Sequence, residues 1–343
     1  METKEQNEEK LLKEFNNKYK TNISLDTNKI DLFSYNISDT GLSLLCSINF
    51  QSKIEKLILE ENNIININPL SLISFGKYLI SLDLSSNKIT SIDNLSNVNF
   101  PLLNHLYLNN NLIINIDSIH KFNFPNLLEL NLSSNKIKSI DILIKANFPN
   151  LKELLLSKNE ISSIDILPNV NIKKIKILTL NHNKINSIDC FSNINFKTLR
   201  ELKIEKNNLK NITILSKTNF PKLSYLSLGD DTLGDNIDEL KNINFPKLED
   251  IFVYLNEKIN KKTKKIKDII EYFENKGVSF NFIKYDKNGQ NEIIDKDINF
   301  MHNYDDEDDE EFDEEKYDEN NKNVTDKKED NNFNDFLLKE GLI

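Results

Sequence analysis

The sequence predicts an α/β repeat solenoid, an arc with a concave parallel β-sheet on one side and mostly irregular or 3-10 segments on the convex side. Three observations predict it. Asparagines recur at Asn87, Asn111, Asn135, Asn159, Asn183 and Asn207, each 24 residues after the last, with Asn62 standing 25 before the series. Around them runs one apolar frame, Leu127-x-x-Leu130-x-Leu132-x-x-Asn135-x-Ile137-x-x-Ile140, which returns from Leu151 and again from Ile175. A second mark keeps step: Phe50, Phe75, Phe100, Phe124, Phe148, Phe196, Phe220 and Phe245 hold one position, with Ile172 in the remaining slot. Self-similarity at a fixed period is the signature of a stacked repeat, in which each unit buries its apolar face against its neighbours.

The elements follow from the frame. In Leu130-Asn131-Leu132 the alternation sends two leucines inward and one residue outward, as a strand requires. The Asn after the strand is expected to be buried, because its amide can both donate to and accept from backbone groups exposed where the chain turns. Asn62, Asn87, Asn111, Asn135, Asn159, Asn183 and Asn207 form this expected ladder. Asp231 follows at the same spacing and lacks the donor. About ten residues return to the next strand, too few for a long helix. Asp141 and its siblings Asp117, Asp165 and Asp189 are candidates to cap a short helical turn there, or to be solvated turn acids.

These residues resemble the leucine-rich-repeat family, whose frame is LxxLxLxxNxL, over about nine units from Phe50 to Tyr254. The resemblance implies a parallel sheet of short Leu-x-Leu strands, a buried Asn at each turn and a protein-binding role. The Ile-Asp-x-Leu stretch after each Asn is similar to the intracellular repeats of the protein-phosphatase-1 regulatory type, although the unit here is longer. No phosphatase-binding residue is carried over.

Four regions are expected: an N-terminal helical cap over 1–49, the array over 50–254, a C-terminal helix-hairpin cap over 255–300, and an acidic disordered tail with a short amphipathic end over 301–343. Leu11, Leu12, Phe15 and Tyr19 fall at helical spacing in the first. In the third, Lys261 to Asn275 reads as a helix with Ile266, Ile269, Ile270 and Phe273 on one face. Val278 to Tyr285 reads as a strand, Asn288-Gly289 as a tight turn, and Asn291 to Ile298 as a returning strand. Such a cap would cover the end of an open sheet. Between Tyr304 and Glu319 stand twelve acids and one lysine, so most of the net charge of -10 lies in the tail. Phe333, Phe336, Leu337, Leu338 and Leu342 form its apolar end.

Composition narrows the function. The first ten residues have no apolar core and do not read as a secretory signal, and no apolar run approaches the ~20 residues of a membrane helix. Cys46 and Cys190 lack metal-site spacing and suggest a reducing compartment. The expected location is the cytoplasm, with Lys261-Lys262-Thr263-Lys264-Lys265 a candidate nuclear signal. His105, His120, His182 and His302 show no metal-ligand spacing, and no phosphate loop or nucleophile elbow occurs. The chain is therefore expected to be a non-enzymatic monomer without cofactor or metal, binding neither nucleic acid nor membrane. Its partner is expected to be a protein, held on the concave sheet face by an adaptor or regulatory subunit. The candidate binding residues are His105, Tyr107, Glu129, Glu153, Leu155, Ile177, Thr179, Lys203 and Tyr225, which mix aromatic and apolar anchors with charge. An alternative is that the tail binds basic proteins, in the manner of the acidic leucine-rich nuclear phosphoproteins that this arrangement resembles.

Overall fold

The structure is a computed structural model that describes residues 3–229, 237–255, 264–285 and 291–293, with backbone alone at 255, 284, 285 and 291–293. The chain forms two compact units, Met1–Asn281 and Phe282–Ile343.

The first unit opens with helix α1, Lys4–Tyr19. Thr3 starts it with a capping box: its Oγ1 accepts the Gln6 N–H at 3.2 Å, and Gln6 Oε1 accepts the Thr3 N–H at 2.9 Å. Leu12 and Phe15 are buried, while Leu11 and Tyr19 of the expected stripe stay partly exposed. Glu8 is buried too, and its Oε2 accepts the Asn49 N–H at 2.8 Å.

Ten short parallel strands follow. They are β1 Lys29–Asp31, β2 Lys56–Ile58, β3 Ser81–Asp83, β4 His105–Tyr107, β5 Glu129–Asn131, β6 Glu153–Leu155, β7 Ile177–Thr179, β8 Glu201–Lys203, β9 Tyr225–Leu228 and β10 Asp250–Leu255. Each pairs with the next in chain order, and the register aligns one inward residue throughout, from Ile30↔Leu57 and Leu57↔Leu82 to Leu226↔Ile251. Those inward residues are buried, as is the phenylalanine column beneath them, including Phe75, Phe100, Phe124, Phe148 and Phe220. Side chains one residue to either side project from the opposite sheet face.

The ladder thus starts one strand before the apolar frame becomes legible at Phe50. Tyr35 stands where later units carry Asn, and it is exposed. The first unit manages without its own asparagine because Asn62 reaches back to it: Asn62 Nδ2 donates to Leu32 O at 2.6 Å and Oδ1 accepts the Ile37 N–H at 3.0 Å. This unit also returns through a true helix, α2 Ser38–Ser47, which buries Leu42, Leu45 and Cys46.

The same reach-back joins each later pair of units through Asn207. Asn135 Nδ2 donates to Leu132 O at 3.0 Å and Ser133 O at 3.2 Å in its own unit, and to Leu108 O at 2.9 Å in the preceding one; its Oδ1 accepts the Ile113 N–H at 3.0 Å. Leu132 O in turn receives Asn159 Nδ2 at 3.0 Å, so one carbonyl accepts from two asparagines. The residue before the ladder Asn takes a left-handed backbone, with φ from 53° to 54° at Ser86, Asn110, Ser134, Lys158, His182 and Lys206. A non-glycine residue there costs ~1–2 kcal/mol, which the buried hydrogen bonds and packing around it offset.

Behind the sheet the chain returns through 3-10 turns such as Asp93–Asn97, Asp117–Lys121, Asp141–Lys145 and Asp189–Asn193. The aspartates do not cap them. Asp141 lies inside the turn, Ile140 holds the cap position without a side-chain hydrogen bond, and Ser139 Oγ accepts the Asp141 N–H at 3.1 Å. Ser91, Ser163 and Ser187 repeat this contact with Asp93, Asp165 and Asp189. A hydroxyl two residues back reaches an N–H that the aspartate's own carboxylate does not.

Helix α3, Lys264–Glu274, buries Ile266, Ile269 and Phe273 and leaves Ile270 partly exposed. Strand β11 begins at Ser279, whose N–H donates to Glu249 O at 2.7 Å, and runs to Tyr285. In the second unit the end of β11 pairs antiparallel with β12, Asn291–Ile293, through Ile283↔Ile293 and Tyr285↔Asn291. Asp231, residues 261–263 of the lysine run, the Asn288-Gly289 turn, the returning strand beyond Ile293, His302, the acidic tail and the apolar end from Phe333 to Leu342 lie outside the described residues.

Candidate functional site

The open sheet face carries two columns of side chains. The first holds Lys56, Ser81, His105, Glu129, Glu153, Ile177, Glu201, Tyr225 and Asp250, and the second Ile58, Asp83, Tyr107, Asn131, Leu155, Thr179, Lys203, Ser227 and Phe252. Strand register places the members of each column side by side, as in Glu129↔Glu153, Glu153↔Ile177 and Asn131↔Leu155. All nine candidate residues from the sequence fall in these columns.

At the β4–β5 end, Glu129 is a hub. Its Oε2 accepts Tyr107 OH at 2.6 Å and lies 3.1 Å from His105 Nδ1. The His105 and Tyr107 rings lie nearly parallel, 10° apart in plane with centroids at 6.3 Å. Burial, the hydrogen bond to Glu129 and that carboxylate's charge all push the Tyr107 hydroxyl well above the usual phenol range, so it stays protonated.

Glu153 is next in the row. Burial, with the charges of Glu129 and Glu201 adding, pushes its carboxyl up to about 6. Leu155, on the same strand, and Ile177, opposite Glu153, are both partly exposed. Asp83 is likewise raised, chiefly by burial, although Ser85 N–H donates to its Oδ1 at 2.9 Å.

At the β8–β10 end, Lys203 Nζ lies 2.6 Å from Glu201 Oε1 and 5.2 Å from the Tyr225 ring centroid. Tyr225 stacks on Phe252 with centroids 5.0 Å apart. Three residues of the second column, the candidate Thr179 among them, are covered rather than presented outward. Thr179 is 8% exposed, Ser227 1% and Phe252 2%. Thr179 and Ser227 are short side chains between longer ones in register, Leu155 and Lys203 around the first, Lys203 and Phe252 around the second. The Thr179 hydroxyl oxygen is also taken within the chain, accepting Ser157 Oγ at 2.7 Å. Thr179 therefore supports its neighbours rather than offering contact area.

A third column went unread in the sequence: Asn109, Ser133, Ser157 and Asn181, partly exposed, with Ser85 and Glu205 buried at its two ends. Alternation carried two residues past the second column would have found it. Its outlier is Glu205, a buried carboxyl whose pKa is raised by burial above all.

The strand register, the leucine carbonyls shared by successive asparagines and the 3-10 returns define a leucine-rich-repeat solenoid, the fold class expected from the sequence. No family model and no curated protein matches the chain. Solved structures do. An internalin (inlF) from Listeria monocytogenes matches at 22% identity and TM-score 0.51, over 71% of this chain and 63% of that one. The functional domain of InlJ from the same organism matches at 20% identity and TM-score 0.49, over 75% of this chain and 53% of that one. The plant peptide hormone receptor RGFR1, in complex with RGF2, matches at 19% identity and TM-score 0.42, over 71% and 44%. The chain thus spans less than two thirds of the length of each, and the internalin likeness establishes the fold.

Proposed function

We propose that this chain is a protein–protein interaction module, an intracellular adaptor or regulatory subunit that holds its partner on the open face of the parallel sheet. One observation carries the reading. From β4 to β7 the face presents Tyr107, Leu155 and Ile177 partly exposed among Glu129, Glu153 and His105. Apolar and aromatic anchors set among charges are what protein interfaces use. The scaffold beneath is rigid, because each strand is pinned to both neighbours, so such a surface is pre-organised for binding. His105, Tyr107, Glu129, Glu153, Leu155, Ile177, Lys203 and Tyr225 are the proposed contact residues.

A second reading rests on the sequence of the tail, whose twelve acids between Tyr304 and Glu319 would attract basic proteins. One experiment separates the two. Wild type, Leu155→Asp and a chain lacking residues 303–343 are each used to capture partners from lysate, with identification by mass spectrometry. Partners lost with Leu155→Asp and kept by the truncated chain support the sheet face. Partners kept by Leu155→Asp and lost on truncation refute it in favour of the tail.

A further inference from the structure

The row His105, Glu129, Glu153, Ile177, Glu201 is not evenly compensated. Glu129 has Tyr107 OH at 2.6 Å and His105 Nδ1 at 3.1 Å, and Glu201 has Lys203 Nζ at 2.6 Å. Among the described residues, the Glu153 carboxylate makes no hydrogen bond and no ion pair. It sits between Glu129 on one side and the aliphatic Ile177 on the other, with Glu201 one strand beyond Ile177, and it is two residues from Leu155. His105 and Lys152 act on it only at a distance. Among the described residues, Glu153 is thus a mid-sheet carboxylate without a direct partner, beside an apolar ledge.

From this geometry we infer that the partner docks an arginine or lysine side chain on Glu153, its aliphatic stem lying along Leu155 and Ile177 and its cationic head between Glu129 and Glu201. This rests on the sheet-face reading above and gives the partner's chemistry. Both halves of such a side chain find a match here. The stem buries apolar surface while the head stays at the solvated acid row, and a charge-assisted hydrogen bond to a half-buried carboxylate is among the stronger polar contacts. A metal ion fits less well. A hard cation takes six or more oxygens, and Glu129 and Glu201 are already engaged by His105, Tyr107 and Lys203. A neutral or acidic segment would leave the Glu153 carboxylate without a partner, under the charges of Glu129 and Glu201, in a partly dehydrated interface.

The test is a selection of random twelve-residue peptides displayed on phage against the immobilised full chain, run in parallel on Glu153→Gln and Glu160→Gln. Glu160 lies outside the strands and pairs with Lys184 at 2.7 Å, so it controls for loss of an acid as such. Wild type and Glu160→Gln are expected to enrich peptides with Arg or Lys at one fixed position, and Glu153→Gln to lose that preference. Synthesised winners, titrated by fluorescence anisotropy, should bind Glu153→Gln about tenfold more weakly and Glu160→Gln within about twofold. The inference is overturned if no peptide is enriched, if no basic position emerges, or if Glu153→Gln binds the winners as tightly as wild type. Its failure is separable from that of the sheet-face reading: winners that ignore Glu153→Gln but are lost with Leu155→Asp leave the face standing and remove only the cation.

Discussion

Replacing Asn135 with alanine tests the asparagine ladder at its centre. The side chain makes four hydrogen bonds, to Leu108 O, Leu132 O, Ser133 O and from the Ile113 N–H. These losses are unequal. Leu108 O keeps Asn111 Nδ2 at 3.1 Å, Leu132 O keeps Asn159 Nδ2 at 3.0 Å, and Ser133 O keeps the Asn110 N–H at 3.0 Å. The Ile113 N–H keeps nothing, and a buried orphaned donor costs ~1–3 kcal/mol. Three weakened carbonyls add ~1–2 kcal/mol together, at the low end of the net value of a hydrogen bond. The expected cost is thus ~2–5 kcal/mol, concentrated at the junction of the units carrying β4 and β5. Two assays read it. Urea unfolding gives the loss of stability, and amide hydrogen exchange shows whether the Ile113 N–H has lost protection ahead of the Ile161 N–H, which Asn183 Oδ1 holds at 3.0 Å. A cost under ~1 kcal/mol with Ile113 protection unchanged would refute the assignment of that N–H to Asn135 as its essential acceptor.

The remaining predictions use the same assays or simpler ones. Glu153→Gln should stabilise the chain by ~1 kcal/mol at pH 7, allowing for the solvent screening of a partly exposed group. Its folded pKa of about 6 exceeds the ordinary 4.5, so the penalty grows between pH 4.5 and 6, is fully felt above pH 6 and vanishes well below pH 4.5; urea midpoints at about pH 3.5 should then be equal, and a benefit that persists there would contradict the cause given. Phe124→Ala, in the buried phenylalanine column, should cost ~3–5 kcal/mol in urea unfolding through the cavity it leaves. Gly229→Ala should lower the thermal midpoint, because Gly229 has φ +111° and an added Cβ would stand 2.4 Å from Tyr254 O. Burial pushes the thiols of Cys46 and Cys190 up to about 12, so neither should react with a thiol reagent at pH 8 until urea is added; prompt labelling of the native chain would contradict their placement.

What could be read in advance divides along physical lines. The inward leucines, the phenylalanine column and the asparagines were legible because stacking applies the same steric and hydrogen-bonding demand in every unit, and the demand leaves a period. The first strand was hidden because Asn62 supplies what Tyr35 does not, which removes the mark from the sequence while keeping the strand. The serines before Asp93, Asp141, Asp165 and Asp189 were passed over because aspartate is a common cap by type, and only geometry shows which oxygen reaches the N–H. On the open face, column membership was legible from alternation. Exposure was not, since whether Thr179 or Ser227 is covered depends on the lengths of side chains one unit away in either direction, about two dozen residues distant in the chain.

Each asparagine's grip on the unit before it makes the array directional. A chain cut just ahead of Asn135 would strand the Ile113 amide without an acceptor, whereas a chain begun just after Leu108 would only deprive Asn135 of one of three carbonyls. A nascent chain emerging from the ribosome meets the harsher case at every step. A turn already made must wait for the next asparagine to arrive before its last donor is sealed, so the polypeptide would lock from its first unit toward its last, always one coil behind its own synthesis.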